Sequence, residues 1–241
     1  MGTRLKMSLI VAVFVPMGIV LSGDSRMIGT ASTQVPDPKN PATQITVQTN
    51  IVVSDANEKV YCLWNRYGIG SFGDAHVNNM PIAHHIERFQ SQAGKSPIST
   101  TRDLATRLLQ YFQQFQSSIQ TLGFVVVGYD ANDPWVMNVD VKNNAVNRVN
   151  FNVQSSQIEQ GVHAGGDTSI VSRLLSQPTF NPPFPVLNLQ DAVDFSRHLI
   201  RTTIDQMRFE PRFATVGGAI DTLVATVDGA HFLEHKSLIA S

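Results

Sequence analysis

Six residues of this chain spell a nucleotide-binding motif. The segment Gly68-Ile69-Gly70-Ser71-Phe72-Gly73 has the spacing G-x-G-x-x-G, which in a strand–turn–helix unit lets backbone N–H groups approach a pyrophosphate. The surrounding pattern does not fit that role. Two helical patterns follow in succession, and no acidic residue ends a strand about 20 residues later. The sequence therefore does not favour dinucleotide binding.

Other reactive residue types occur without the partners that their chemistry needs. His84 and His85 are neighbours, which on a helix point to different faces, and no second ligand cluster accompanies them. The segment Asp130-Ala131-Asn132-Asp133 lacks the later glycine and glutamate of a calcium loop. Ser25 has no hydrolase elbow around it, and Cys62 stands in an apolar run. We expect no metal site and no cofactor.

The composition is that of an ordinary globular protein. The chain has 241 residues, 42% hydrophobic and 15% charged, with a formal net charge of -1. This length fits one large domain or two small ones, and the charge balance gives no electrostatic footprint for nucleic acid or an anionic membrane. The one cysteine excludes an internal disulfide. We expect a cytoplasmic protein with no nucleic-acid or membrane partner.

The first apolar run permits two interpretations. Arg4 and Lys6 precede an apolar stretch over residues 7–21, as in a secretory signal. The triplet Pro16-Met17-Gly18 interrupts that stretch with turn chemistry, and the cleavage pattern around Leu21-Ser22-Gly23 is poor. These features favour a buried β-hairpin, with an export signal as the alternative.

The remaining pattern predicts alternating blocks of strands and helices. Residues 27–50 are polar and contain proline, so we expect an exposed loop insertion there. Helical spacing appears over residues 74–92, after Thr100 and over residues 189–207, and Gly165-Gly166-Asp167 opens a short helix. Thr100 is predicted to be the N-cap of the second of these helices, with Asp103 at its N3 position. Strands are predicted at residues 51–53, 59–63, 124–127, 135–141, 146–153, 220–226 and 231–234.

This order predicts the fold class. Strands, two helices, strands, two helices and strands follow one another along the chain. Antiparallel hairpins with paired helices between them indicate an α+β fold, a four-layer αββα sandwich of two stacked antiparallel sheets flanked by helices. We expect residues 8–241 to form this single domain.

Segments spread over most of the chain resemble one known family. They are Ser8-Leu9-Ile10-Val11-Ala12-Val13, Ile19-Val20-Leu21-Ser22-Gly23-Asp24-Ser25-Arg26, Asp55-Ala56-Asn57-Glu58-Lys59-Val60, Gly70-Ser71-Phe72-Gly73-Asp74-Ala75, Val127-Gly128-Tyr129-Asp130, Gly165-Gly166-Asp167, Val216-Gly217-Gly218-Ala219-Ile220-Asp221 and Asp228-Gly229. In order and spacing they resemble the proteasome β-subunit type of N-terminal-nucleophile (Ntn) hydrolases, including the bacterial proteasome-like peptidases.

The resemblance implies a catalytic set. In this family the first residue of the mature chain is the nucleophile and its own α-amino group is the base. The family's spacing places the nucleophile at Ser8, so residues 1–7 would be a propeptide or tag-like leader, with Thr3 as a second choice. Asp24 and Lys59 match the buried acid–lysine pair, and Gly73 matches the glycine whose N–H contributes to the oxyanion hole.

Two departures and two function classes accompany the resemblance. Where the family carries supporting serines and an aspartate, this chain has Gly165-Gly166 and residues 213–217, although Asp167 or Thr215 could partly substitute. The resemblance implies a threonine-peptidase-like hydrolase of peptide or other amide bonds, a ring or other homo-oligomer, and an ATP-dependent unfoldase as a candidate partner. The alternatives are a non-catalytic scaffold or assembly protein, or an exported protein.

Overall fold

Backbone pairing places ten strands in two five-stranded antiparallel sheets. The structure, a computed structural model, describes residues 8–94, 97–177, 179 and 181–236, so the expected leader at residues 1–7 lies outside the described residues. The strands are β1 (Leu9–Val15), β2 (Gly18–Gly23), β3 (Met27–Asp37), β4 (Asn40–Ser54), β5 (Val60–Leu63), β6 (Tyr67–Phe72), β7 (His76–Val77), β8 (Met80–Pro81), β9 (Gly123–Asp130), β10 (Asp133–Asp140), β11 (Ala145–Arg148), β12 (Phe151–Asn152), β13 (Gln157–Ile158), β14 (Gly161–Gly166), β15 (Asp221–Thr226) and β16 (Gly229–Glu234). The first sheet has the order β14-β1-β2-β15-β16, and the second has the order β11-β10-β9-β6-β5.

The hairpin of β1 and β2 lies at the centre of the first sheet. The two strands pair from Ile10 with Gly23 to Val15 with Gly18, and every residue of both strands is buried. Because a continuous β-branched run favours a strand that is buried on both faces, the hairpin predicted from the turn at residues 16–18 is confirmed.

Four α-helices follow the amphipathic patterns. They are α1 (Ile82–Ala93), α2 (Thr101–Gln113), α3 (Ser169–Leu174) and α4 (Leu189–Met207). The hydroxyl of Thr100 caps α2 by accepting from the N–H of Asp103, as predicted. Asn188 and Asp191 form a reciprocal capping box at the start of α4.

Three apolar clusters fill the spaces between these elements. One joins α1 and α2 to the second sheet, through side chains such as Phe112 and Phe124. Another joins α3 and α4 to the first sheet, through side chains such as Leu199 and Val11. The third contains residues of both sheets, among them Ile10. The chain is thus a mixed α/β protein whose two antiparallel sheets share a core.

The segment predicted as a loop forms a long ribbon. Residues 27–54 are exposed or half-buried wherever their burial is described, as expected, but they form the two-stranded sheet of β3 and β4. Alternation over Ile45, Val47, Thr49 and Ile51 is the period-2 pattern of a strand. The prolines, which suggested a loop, lie near the tip of the ribbon, at residues 36, 38 and 41.

Other predicted boundaries also differ from the structure. Helix α1 begins at Ile82 rather than near residue 74, because residues 76–81 form the small β7–β8 pair. Strand β14 was not predicted, since its sequence contains three glycines and resembles a turn. None of the helices in the described part of the chain combines the length and apolar character needed to cross a bilayer.

Candidate functional site

The carboxylate of Asp24, directly after the second strand of the first sheet, accepts four hydrogen bonds. Asp24 is fully buried and immediately follows β2. Its Oδ1 accepts hydrogen bonds from the backbone N–H of Leu9 and from Nζ of Lys59, both at 2.8 Å. Its Oδ2 accepts from the backbone N–H groups of Arg26 at 3.1 Å and Gly217 at 3.0 Å. Four donors therefore hold this anion away from water.

Lys59 is the buried cation of the site. It precedes β5, is 3% exposed, and forms an ion pair with Asp24. Burial lowers the pKa of Lys59 below its ordinary value, and the negative charge of Asp24 only partly offsets that effect. Asp24 is its one hydrogen-bond acceptor among the described residues. The ammonium group therefore keeps donors for a further acceptor.

Ser8 directly precedes Leu9, which contacts the Asp24 carboxylate of this ion pair. It is buried, and its carbonyl oxygen accepts from the backbone N–H of Asp167 at 2.7 Å. The next residue, Leu9, donates its N–H to Asp24. The backbone of Ser8 has φ +69, a left-handed conformation that costs roughly 1–2 kcal/mol for a residue with a Cβ. In the described part of the chain its hydroxyl makes no hydrogen bond.

A second polar cluster adjoins Ser8 on the side of Asp167. Oδ2 of Asp167 accepts from the hydroxyl of Thr215 at 2.7 Å and forms a salt bridge with Arg212. Oδ1 accepts from the hydroxyl of Ser169 at 2.7 Å. Burial alone would raise the pKa of Asp167, but these hydrogen bonds and the charge of Arg212 outweigh it and hold the pKa below its ordinary value.

Gly73 occupies a position that only glycine fits. It follows β6 with φ +92, and a Cβ there would overlap the carbonyl oxygen of Thr121. No hydrogen bond within the described residues joins Gly73 to Ser8, Asp24 or Lys59. The structure therefore joins Asp24 to Lys59 directly and to Ser8 only through the N–H of its neighbour Leu9, and it gives Gly73 no such link among the described residues.

A cavity of about 460 Å³ is lined by chain neighbours of Gly73 and Asp167. Its wall includes Phe72, which precedes Gly73, and Gly166 and Thr168, which flank Asp167. His163 also lines the cavity, and burial lowers the pKa of its imidazole. The other lining residues are Gln120, Thr121, Leu122, Gly123, Asn138, Asp140, Lys142, Asn143, Ala164 and Gly165.

Several contacts of the site were not predicted from the sequence. Arg26 donates from Nε and Nη2 to the two carboxylate oxygens of Asp55, at 2.7 and 2.9 Å. This bidentate pair joins the two ends of the ribbon beside Asp24. The contacts of Arg212 with Asp167 and of the Gly217 N–H with Asp24 were missed as well. The sequence carries no signal for them because 29 or more residues separate each pair of partners.

The glycines of the G-x-G-x-x-G motif serve packing between strands. Residues 67–72 form β6, and Gly70 pairs with Val60 and Val125 in the second sheet. A Cβ at Gly70 would collide with the side chain of Ile10, which belongs to the first sheet. Gly68 and Gly70 of the motif therefore lie in a buried strand that Gly73 directly follows, and the motif does not form the phosphate-binding turn of a βαβ unit.

The remaining candidates have local structural roles. His85 is buried between the Tyr111 hydroxyl and the Val77 carbonyl, while the His84 side chain is about half exposed. Asp130 accepts from the N–H and hydroxyl of Thr101 at the start of α2. The Ser25 hydroxyl donates to the Ala219 carbonyl, and Cys62 is half-buried against the Ala230 carbonyl.

Two comparisons with known proteins found no relative of this chain. The sequence matches none of the protein-family models and none of the curated protein sequences with which it was compared. The interpretation of the site therefore rests on its own contacts and on the resemblance of its motifs.

Proposed function

We propose that this chain is a proteasome-like Ntn hydrolase that cleaves peptide or other amide bonds, with Ser8 as the nucleophile after removal of residues 1–7. The observation that carries the proposal is the buried Asp24–Lys59 pair, which binds the N–H of the residue after Ser8. The proposal includes a four-layer αββα sandwich. The three apolar clusters, two beneath helices and one between the sheets, support that arrangement.

The proposed nucleophile and base belong to the same residue. Once Ser8 is the first residue, its α-amino group has a reference pKa of about 7.7–8.0, which suits a proton acceptor near neutral pH. Oγ of Ser8 attacks the amide carbonyl carbon and gives its proton to that amine. The amine then protonates the leaving nitrogen as the C–N bond breaks. Water hydrolyses the resulting ester, which returns the proton and frees Ser8.

Lys59 and Asp24 have separate tasks in this scheme. The ammonium group of Lys59 keeps donors beyond its bond to Asp24, and in a buried site a cation strongly stabilises negative charge developing on Oγ of Ser8. Asp24 orients Lys59 and fixes the backbone of Leu9 with the same oxygen. Gly73 is proposed to donate its N–H to the oxyanion. Glycine has no side chain to block the approach of the substrate, and it adopts the positive φ of this position without strain.

Asp167 and Thr215 are proposed to support the new amino terminus. Asp167 already donates its N–H to the carbonyl of Ser8, and its carboxylate holds the Thr215 hydroxyl as a donor. The lone pairs of that hydroxyl oxygen remain free to accept from an ammonium group. The pair would replace the serines and aspartate that the family uses at this place.

The cavity beside Gly73 and Asp167 is proposed to receive the substrate. Its volume of about 460 Å³ is within the usual range for small-ligand sites. The proposal extends to a cytoplasmic location, to self-association into a ring or other homo-oligomer, and to an ATP-dependent unfoldase as a partner. The cytoplasmic location rests on the composition and the single cysteine, and the other two elements rest on the resemblance of the motifs.

The test is the identity of the mature first residue. We expect intact mass and N-terminal sequencing of the purified protein to give a chain that begins at Ser8, and an electrophilic peptide probe to modify residue 8. Ser8→Ala should abolish labelling and peptide hydrolysis, whereas Ser8→Thr should retain both. A chain that keeps residues 1–7 in every preparation would contradict the proposed mechanism and support the non-catalytic scaffold.

A further inference from the structure

The ribbon of β3 and β4 presents one apolar face to solvent along most of its length. Side chains alternate between faces in a strand, so Ile45, Val47, Thr49 and Ile51 share one face. Each of the three aliphatic residues keeps 40% or more of its surface exposed, and so does Val53, whose methyl group lies over Gly29 on the same face. We call this row, Ile45, Val47, Thr49, Ile51 and Val53, the apolar stripe.

The opposite face of the ribbon is mainly polar. Gln34 pairs with Thr46 and donates to its hydroxyl at 3.0 Å, and Ser32 pairs with Gln48. The ribbon is therefore amphipathic, and within the described part of the chain β3 and β4 make their extensive contacts with each other, which leaves the apolar side exposed. A two-stranded ribbon alone is marginally stable in water, and further strands or a packed face are needed to stabilise it.

The charge distribution indicates what covers the stripe. Between Arg26 and Asp55, the charged residues of the ribbon are Asp37 and Lys39, and both lie at its tip. Natural edge strands that must stay unpaired carry charges, especially lysine, along their length. The arms of this ribbon carry none, so they neither repel an identical ribbon nor attract a charged ligand.

We propose that the apolar stripe packs against the same stripe of a second copy of this chain, about a two-fold axis. An uncharged aliphatic surface is complementary to itself, and such an interface brings the same residues together from both copies. The axis would place the tip of one ribbon near the base of the other. Each end carries one positive and one negative side chain, Asp37 with Lys39 and Arg26 with Asp55, so no like-charge excess results.

The size of the stripe sets the expected strength of this contact. Eleven residues at about 3.4 Å each, over two strands about 4.8 Å apart, give a face of roughly 350–400 Å² in each copy. Two copies would bury roughly 750 Å², which is below the roughly 1,200 Å² of a standard stable interface. The association should therefore depend on concentration in the micromolar range, unless further surfaces join it.

Sedimentation velocity over about 0.1–100 μM tests the proposal on the full chain, because it spans a micromolar Kd on both sides. The stripe variant carries Ile45→Thr, Val47→Thr and Ile51→Thr, which keep β-propensity and remove apolar surface. The matched control carries Gln48→Thr, Asn50→Thr and Val52→Thr on the opposite face. We expect the stripe variant to raise the dimer Kd at least tenfold and the control to leave it within about twofold.

Cross-linking gives a second measurement that does not depend on the triple variant folding. Thr49→Cys in a Cys62→Ser background should form covalent dimers with a short bismaleimide, whereas Asn50→Cys in the same background should not. A wild-type chain that stays monomeric at all concentrations would overturn the proposal. So would equal cross-linking at the two positions, or equal dissociation of the stripe and control variants.

Discussion

Nζ of Lys59 and the backbone N–H of Leu9 converge on one oxygen of Asp24, each at 2.8 Å. This arrangement couples a buried ion pair to the position of the first strand. Removing the cation alone would leave the Asp24 carboxylate buried beside backbone donors without a compensating charge. The pair thus has a structural role whether or not the chain is a hydrolase.

Lys59→Met is expected to lower the free energy of unfolding by roughly 3–5 kcal/mol, because it leaves an unpaired buried carboxylate. Lys39→Met, at the exposed ribbon tip, is the control and should change it by less than about 0.5 kcal/mol. Urea denaturation at neutral pH measures both. Combining Lys59→Met with Asp24→Asn should cost less than the sum of the two single changes, and strict additivity would argue against the coupling.

Gly73→Ala is expected to be strongly destabilising, since alanine combines a left-handed φ with an overlap against the Thr121 carbonyl. The strain alone is about 1–3 kcal/mol, before any clash is relieved. Gly94→Ala is the matched control, because Gly94 is right-handed and the nearest atoms to an added Cβ lie 3.6 Å away. It should be neutral or stabilise by about 0.4–1 kcal/mol. Thermal unfolding of the two variants compares them, and equal losses would contradict this account of Gly73.

The sequence predicted the local elements better than the long-range contacts. The hairpin at residues 9–23, the cap at Thr100 and the whole of α4 follow from short patterns, namely β-branched runs, an N-cap with its acidic partner, and helical spacing. Each of these signals lies within a few residues of the feature that it predicts, so one sequence is enough to recognise it.

The site and the ribbon contain features that the sequence alone did not predict. The serial order of motifs suggested Ser8, Asp24 and Lys59, but the contacts of Asp24 with Gly217 and of Asp167 with Arg212 join distant segments and leave no local pattern. Residues 27–50 appeared to be a loop because prolines outweighed a clear two-residue alternation. Strand β14 was missed because its three glycines, of which Gly165 accommodates Phe72, resemble a turn.

Ile10 should be among the most sensitive apolar positions, because its side chain fills the space between the two sheets against Gly70 and Gly23. Ile10→Ala is expected to lower the free energy of unfolding by about 2–5 kcal/mol through lost burial and a residual cavity. Leu233→Ala, on a half-exposed strand residue, is the control and should cost less than about 1 kcal/mol. A small effect at Ile10 in guanidinium denaturation would mean that the sheets do not share this core.

Asp167 should make stability depend on pH below neutrality. Its pKa is held below the ordinary value by Ser169, Thr215 and Arg212 despite burial. As the pH falls below the ordinary Asp value of about 3.9, the unfolded chain therefore binds a proton before the folded chain does. The stabilisation is complete above about pH 5 and is lost as the pH falls through the folded pKa.

Asp167→Asn removes that contribution, so the gap between wild type and variant should be largest near pH 7. We expect about 1.5–3 kcal/mol there, from charge-assisted hydrogen bonds, and a smaller gap at about pH 3, where the unfolded wild-type chain has largely taken up the proton. Urea titrations at about pH 7, 5, 4 and 3 measure it. Asp228→Asn, in an exposed turn, is the control and should cost less than about 0.5 kcal/mol throughout. A gap for Asp167→Asn that widens on acidification would reverse the sign of the linkage and contradict the assigned network.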